Sequence, residues 1–511
     1  MKRKNLFMGT IILGIGGIVS KLLGFCFRIP LIFMIGEEGI GLYQLTYPLY
    51  TFILSITAGI PTAISKMISE RNAIQKQKEA RDIFRAALFI MAVFGCMSSI
   101  CIIAFSETIM NTFKWNKGAY YSLIGIGLAP LFTCLLSAFK GYFQGLQIMT
   151  IPAGSQVIEQ ITRILVGIGL AYLLLPKGIA VSAGGASFGA TIGSVIGILW
   201  MVYHFKKNEL CYSKQQESKP IHLLGWEIIK FSIPISIGQA IGSIMALLDS
   251  IMVPGLLKSS GYSEQLATQL YGQLTGKAFV LVNIPLTLSI ALAQSIVPAI
   301  SESYAVRDFG RLKRNIKMSY KMAMIIALPC SAGLFALAKP IMKLVFQNND
   351  AGWELLQILA LSAIFIIIAQ TSTSILNGAG KLLLPVISIL VGGVIKISLS
   401  IIYIPDPAWN IKAAAYSTLI SYAFVALIDF IFVIIFTKMF VNIFEIFISP
   451  AICSIAMIFC AIAVYSKVFS ITGGNSRATL AAIVVAGLIY AFMLIVTKTL
   501  SISELKNIVR K

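Results

Sequence analysis

Charge is what this sequence has least of. Of its 511 residues, 12% are charged, against about a quarter in an ordinary soluble domain. With 58% of residues hydrophobic, a soluble fold of this size has no means of covering its apolar surface. That excludes a cytosolic enzyme, a disordered chain and a secreted disulfide scaffold. Acids are scarcer than bases: 20 Asp and Glu stand against 41 Lys and Arg. Histidine is nearly missing. The two that occur, His204 and His222, flank one polar loop, so a histidine metal centre is not expected. The eight cysteines show no Cys-x-x-Cys spacing. All but Cys211, which lies in a polar loop, sit in apolar stretches, and they read as small buried hydrophobes rather than ligands or bridges. No Gly-x-x-x-x-Gly-Lys-Ser/Thr run is present, so ATP-driven machinery is not expected. Glu37-Glu38 is the one adjacent pair of acids, and it reads as a solvated turn rather than a catalytic dyad. No catalytic constellation is visible, and an enzyme is not expected.

What the chain has in abundance is long apolar runs. Mean hydropathy is +0.88. Stretches long enough to cross a bilayer recur near 6–35, 41–69, 86–106, 120–145, 151–174, 183–205, 228–255, 276–302, 318–338, 353–378, 383–404, 411–436, 445–467 and 478–498. The start, Met1-Lys2-Arg3-Lys4 before an apolar run, has the look of a signal peptide. The run is far longer than a signal core, so it reads as a retained first span. The class is therefore all-α and polytopic, with about 14 transmembrane helices.

The net charge of +21 on a soluble protein would suggest nucleic acid. No basic stripe with interleaved aromatics occurs, so no nucleic-acid partner is expected. The excess instead falls in alternate loops. One set holds Arg3, Lys4, Arg71, Lys76, Arg81, Lys140, Lys206, Lys207, Arg311, Arg314, Lys438 and Lys506, among others. Such a bias places both termini in the cytoplasm of a multi-pass plasma-membrane protein.

The chain is duplicated. Phe7 precedes Pro30 by the same interval that separates Phe231 from Pro254. Ile60-Pro61-Thr62-Ala63-Ile64-Ser65 has a counterpart in Val297-Pro298-Ala299-Ile300-Ser301. Gln144-Gly145, Pro152 and Arg163 are spaced as Asn377-Gly378, Pro385 and Lys396. Spans 1–6 thus correspond to spans 7–12. An even number of spans gives both halves one orientation, related by a pseudo-two-fold axis along the membrane normal. The expected organisation is a six-helix lobe over 1–205, a cytoplasmic linker over 206–227, a second six-helix lobe over 228–437, and two added helices with a tail over 438–511. Prolines within spans, among them Pro48, Pro61, Pro130 and Pro329, predict bent helices.

Five cations fall inside spans: Lys21 and Arg28 in span 1, Lys66 in span 2, Arg163 in span 5 and Lys396 in span 11. At roughly 2.5–3.5 kcal/mol each on insertion scales, lipid exposure of all five is untenable. Gln156, Glu159, Gln160 and Arg163 share one face of a helix, and Arg163 and Lys396 occupy matching positions of the two repeats. A cavity lined by cations is the simplest reading, and it selects a phosphate, pyrophosphate or carboxylate. Local alternatives stand beside it. Glu159 and Arg163 are spaced to neutralise each other, and Lys66 is placed to snorkel to an interface. Asp249, a lone acid in span 7, reads either as a partner for one of these cations or as a Na⁺ or H⁺ site. Asp429, nearer the inner end of span 12, reads as structural. The cluster Gly14-Ile15-Gly16-Gly17 reads as helix packing.

Particular stretches go further. They are Ser20-Lys21-Leu22-Leu23-Gly24-Phe25 with Arg28, Ile35-Gly36-Glu37-Glu38-Gly39-Ile40-Gly41-Leu42-Tyr43-Gln44, Ala63-Ile64-Ser65-Lys66 and Gln156-Val157-Ile158-Glu159-Gln160 with Arg163. Tyr271-Gly272-Gln273-Leu274-Thr275-Gly276 and Val297-Pro298-Ala299-Ile300-Ser301-Glu302 belong with them. Together they resemble the polysaccharide-exporter branch of the multidrug/oligosaccharidyl-lipid/polysaccharide flippase superfamily, its lipid II flippases in particular, over essentially the whole chain.

The resemblance implies a V-shaped, fourteen-helix flippase working by alternating access. The implied substrate is an undecaprenyl-pyrophosphate-linked saccharide, lipid II for spore cortex or wall peptidoglycan. It also implies that Lys21, Arg28 and Lys66 meet the pyrophosphate and that spans 13 and 14 form a groove for the lipid tail. The expected substrate site is then Lys21, Arg28, Lys66, Glu159, Arg163 and Lys396, with Asp249 as the ion-coupling candidate. No cofactor is expected beyond Na⁺ or H⁺ coupling. Expected partners are the lipid-linked oligosaccharide, membrane lipid, and wall-synthesis or sporulation membrane proteins. Two other functions compete: a multidrug or cation antiporter of the same superfamily, which requires a dominant intramembrane acid cluster, and a non-transporting scaffold of a wall-synthesis complex.

Overall fold

The computed structural model describes residues 3–207, 220–347, 349–438, 443–497 and 499. Cys211, the middle of the linker and the basic C-terminal tail from Leu500 onward lie outside the described residues. What is described is helical, with no strand among the described residues. Thirteen helical stretches among them are long and apolar enough to cross a membrane, and the first, Gly16–Ala73, has 58 residues. At about 1.5 Å per residue such a stretch is more than twice the thickness of a ~30 Å hydrocarbon core. It therefore holds two of the expected spans, and the other twelve match one to one.

Two compact units divide the chain, Met1–Gly272 and Gln273–Lys511. The first holds α1 (Arg3–Ile56), α2 (Gly59–Ala73), α3 (Gln77–Ala104), α4 (Ser106–Thr112), α5 (Ala119–Gly127), α6 (Ala129–Gly145), α7 (Thr150–Leu174), α8 (Ile179–Lys207), α9 (Ile221–Ser259) and α10 (Glu264–Gly272). The second opens on a π-helical turn, Gln273–Ala278. It continues through α11 (Phe279–Ala305), α12 (Phe309–Ala336), α13 (Ala338–Val345), α14 (Trp353–Gly378), α15 (Leu384–Tyr403), α16 (Asn410–Thr437), α17 (Ile443–Thr472) and α18 (Asn475–Val496).

The repeat draws a lobe boundary within 206–227, whereas the compact units divide at Gly272. The difference has a packing cause: α9 lies along α1, α2 and α3, and α10 lies against α1. In this last contact a side chain at Gly41 would collide with the Thr268 carbonyl, and one at Gly272 with the Glu37 carbonyl.

Within the first unit the helix breaks follow from the sequence. Gly36 has φ 67°, a left-handed conformation cheap only for glycine, and it kinks α1 into two segments at the Gly36-Glu37-Glu38 turn. Pro61 and Pro130 lie in the first turns of α2 and α6, so the breaks come just before them, where a missing N–H costs nothing. Pro48 and Pro329 remain inside α1 and α12. The core of this unit joins α2, α3, α6 and α8, with Phe84 against Tyr142 at 4.6 Å and against Phe205 at 5.2 Å between ring centroids. Large side chains such as Phe89 and Leu165 point outward, as lipid contact requires.

Internal packing carries the duplication. In the first unit a Cβ built on Gly145 stands 2.8 Å from Ile68 Cβ and 2.9 Å from the Ser65 carbonyl; in the second, one on Gly378 stands 2.8 Å from Ile300 Cβ and 2.9 Å from the Val297 carbonyl. The equivalent pairs are therefore Ser65–Ile68 and Val297–Ile300. Matching the letters Ala63-Ile64-Ser65 to Ala299-Ile300-Ser301 would instead pair Ile64 with Ile300, one helical turn from this packing register. Gly145→Leu and Gly378→Leu are each expected to destabilise their unit by at least 1–3 kcal/mol, the usual cost of overpacking. Melting followed by size-exclusion chromatography in detergent checks this, with Gly169→Leu, which has open space at its Cβ, as the control.

Candidate functional site

The site in the first unit is built where α1 meets α7. Small residues let the helices approach. A Cβ on Gly16 would stand 3.0 Å from Ala153 Cβ, while Gly17 and Gly24 face the side-chain oxygens of Gln156 and Gln160. The glycine cluster thus packs helices, as expected from its place inside a span. The glutamines of the predicted polar stripe turn toward α1.

Arg163 of α7 reaches across to the second segment of α1. Its Nη2 donates to the Tyr43 hydroxyl at 2.5 Å, and its guanidinium carbon lies 5.1 Å from the centre of the Tyr47 ring. Tyr43 and Tyr47 stack at 5.8 Å, and Tyr50 continues the row at a further 5.8 Å. Tyr50 is held in turn by Thr133, at 2.9 Å between oxygens. Arg163 Nε is buried with no hydrogen-bond partner. Arg28 comes to the same place: it is half-buried and within electrostatic reach of Tyr43, Tyr47 and Arg163. Neither arginine forms an ion pair among the described residues. Two guanidinium groups so placed repel each other, and phenols supply only partial compensation. An anion placed between them would offset that repulsion.

The local alternative for Glu159 and Arg163 fails. Glu159 is paired instead with Lys140 of α6, at 3.2 Å, both side chains 18% exposed. The i,i+4 spacing permits the intrahelical pair, but Lys140 meets Glu159 across the α6–α7 packing and leaves Arg163 with the tyrosines. Lys140, read from sequence with the loop cations, belongs to α6.

The other expected residues lie elsewhere. Lys21 is exposed on α1, two turns before Arg28, and makes no hydrogen bond or ion pair among the described residues. Lys66 is not brought to Arg28. It pairs with Glu70 on its own helix at 3.8 Å, both about half exposed, and its Nζ sits 4.2 Å from the centre of the Phe231 ring. Asp249 of α9 faces Tyr271 of α10. Lys396, on α15 of the second unit, is buried among that unit's helices.

Sequence reasoning missed three groups. Tyr43, Tyr47 and Tyr50 share one helix face at i, i+4 and i+7, a signal that was available. Lys140 was missed as a partner for Glu159. Lys277 of the second unit is fully buried in the π-helical turn, donates to Asn349 Oδ1 at 3.2 Å and lies 5.1 Å from the centre of the Phe346 ring; no sequence spacing announces it.

The chain matches the sequence pattern of the polysaccharide biosynthesis protein family over residues 6–304, and that of the MatE family over 234–402. It is 26% identical over 519 aligned residues to stage V sporulation protein B of Bacillus subtilis (strain 168), covering 99% of this chain and 98% of that protein. It is 26% identical over 449 residues to lipid II flippase MurJ of the same organism, covering 82% of each. Among solved structures, lipid II flippase MurJ in an inward closed conformation superposes with a TM-score of 0.72 at 17% identity, over 94% of this chain and 98% of that one. An inward-facing MATE family transporter of the MOP superfamily gives 0.69 at 15% identity, over 82% and 94%. The chain is a multi-pass membrane protein with the fold of these transporters, and it belongs to the polysaccharide biosynthesis protein family.

Proposed function

We propose that this protein is a flippase that carries an undecaprenyl-pyrophosphate-linked saccharide, of the lipid II class, from the cytoplasmic to the outer leaflet by alternating access. The observation that carries the reading is the pair Arg28 and Arg163: two cations in bilayer-spanning helices beside a row of phenols, with Glu159, the acid one turn from Arg163, already taken by Lys140. Lys21, two turns from Arg28, extends the positive face. A pyrophosphate offers several charge-assisted bonds to such a set. Lys66 meets the headgroup at entry only, since Glu70 and Phe231 already engage it. Within the second unit, Lys396, buried among that unit's helices, is the cation we assign to the substrate.

The names of the relatives, a sporulation protein and a lipid II flippase, support this substrate class, and wall-synthesis or sporulation membrane proteins are the fitting partners. A multidrug or cation antiporter, the other activity among the structural neighbours, would need an acid cluster where this chain has guanidinium groups. The loop charge bias supports cytoplasmic termini. In that orientation an inside-negative potential favours export by about 2.3 kcal/mol per negative charge per 100 mV.

Lys21→Ala and Arg28→Ala are each expected to lower flipping at least tenfold with expression unchanged, read by outer-leaflet accessibility of the lipid-linked saccharide in cells. Full activity of both variants contradicts the site. Labelling of Cys211 is expected only after permeabilisation, and labelling from outside intact cells reverses the orientation.

A further inference from the structure

The second unit holds an acid that the cationic site does not use. Asp429 of α16 has no solvent exposure and sits inside a membrane-spanning helix. Its partners are hydroxyls. Ser388 of α15 bonds to Oδ1, and Thr373 of α14 donates to Oδ2 at 3.3 Å. It forms no ion pair among the described residues. The titratable group facing it from α12 is the phenol of Tyr320, which is itself hydrogen-bonded to Ser372 of α14 at 2.7 Å. The cation of α15, Lys396, lies eight residues beyond Ser388.

A carboxylate buried in the bilayer with only two neutral donors is poorly compensated, and the ordinary resolution is to take up a proton. The donor count fits that resolution. Ser388 Oγ also lies 2.9 Å from the Pro385 carbonyl, and a hydroxyl has one proton to give. If Asp429 is a neutral acid, it donates to Ser388, Ser388 donates to Pro385, and Thr373 donates to the free oxygen of Asp429. Every group is then used and no charge is left. A metal cation fits less well, because the site offers one carboxyl group and two hydroxyls where Na⁺ or K⁺ takes about five or six oxygens.

Further polar groups lie on the neighbouring helix. Gln370, Thr371, Ser372, Thr373 and Ser374 form a polar run within α14. Gln370 Oε1, one turn from Thr373, is buried with no hydrogen-bond partner, an acceptor that a single water would satisfy.

We infer that Asp429, with Ser388 and Thr373, is a proton-binding site of the second unit, protonated at neutral pH and able to exchange its proton. The inference does not depend on which lipid is carried. The test is infrared spectroscopy of the purified full-length protein in lipid, compared with Asp429→Asn, across a pH series. The expected result is a protonated-carboxyl C=O band at neutral pH that Asp429→Asn removes and that fades as pH rises. Should Asp429→Asn fail to fold, Ser388→Ala and Thr373→Val are expected to shift that band without removing it. Three results would overturn the assignment: no such band, a band constant across the pH series, or a Na⁺-dependent rise in melting temperature that Asp429→Asn abolishes.

Discussion

Arg163→Ala is expected to lower flipping of a polyprenyl-pyrophosphate saccharide by one to two orders of magnitude while leaving the protein folded. The guanidinium makes one direct bond to Tyr43 and lies over Tyr47, with Nε buried and unused. A charge-assisted bond to phosphate contributes about 1.5–3 kcal/mol, and each 1.4 kcal/mol is a factor of ten, so losing one such contact accounts for the size. Removing Arg163 also relieves repulsion with Arg28, so stability is expected to hold or rise slightly. Arg163→Lys is expected to recover only part of the activity, since an ammonium cannot span Tyr43 and a phosphate with a planar fork. Initial flipping rates and melting temperatures measured on the same preparations separate the two effects. Equal rates for wild type and Arg163→Ala would remove Arg163 from the site.

Lys140→Ala is expected to impair transport as severely, by a different route. Lys140 and Glu159 are mostly buried and 3.2 Å apart. Stripping one partner from a buried pair costs about 3 kcal/mol, because the other charge is left without compensation. Here the stranded acid has an alternative partner. Glu159 is one helical turn from Arg163 on α7, the spacing at which opposite charges pair, and that pairing would cancel the charge the headgroup needs. The double variant Lys140→Ala with Glu159→Gln removes the competing acid and is expected to restore most of the flipping and stability lost by Lys140→Ala. If Lys140 and Glu159 served only to hold α6 against α7, the double variant would regain stability and flipping in step, whereas the account predicts recovery of flipping even at detergent and lipid conditions where both variants are fully folded.

The difference between what was legible in the sequence and what was not follows from the range of the interactions. Spans are set locally, by runs of apolar residues matched to the bilayer, so the expected fourteen all reappear as helix. The turn after span 1 was legible because Gly36 and the adjacent Glu37-Glu38 mark it. The break at Thr57-Ala58 was read only indirectly, through Pro61. The duplication was legible in motif spacing, but its register was not: proline and alanine positions drift by a turn, whereas the glycine contacts of Gly145 with Ile68 and Gly378 with Ile300 cannot.

Charge pairing was the least legible feature. Glu159 has Arg163 four residues away in sequence and Lys140 nineteen away, and only the packing of α6 on α7 selects the second. The same holds for α9, which repeats the pattern of α1 yet packs with the first unit.

In the proposed function a cationic face built from Arg28 and Arg163 carries a pyrophosphate-linked lipid across the bilayer. The most direct measurement is flipping of a fluorescent undecaprenyl-pyrophosphate disaccharide in proteoliposomes, wild type beside Arg28→Ala, with and without an imposed membrane potential or a Na⁺ or H⁺ gradient. Flipping by the wild type and a loss of at least tenfold in the variant are expected. Absence of flipping by a well-folded wild type under every gradient, or equal flipping by both proteins, would contradict it.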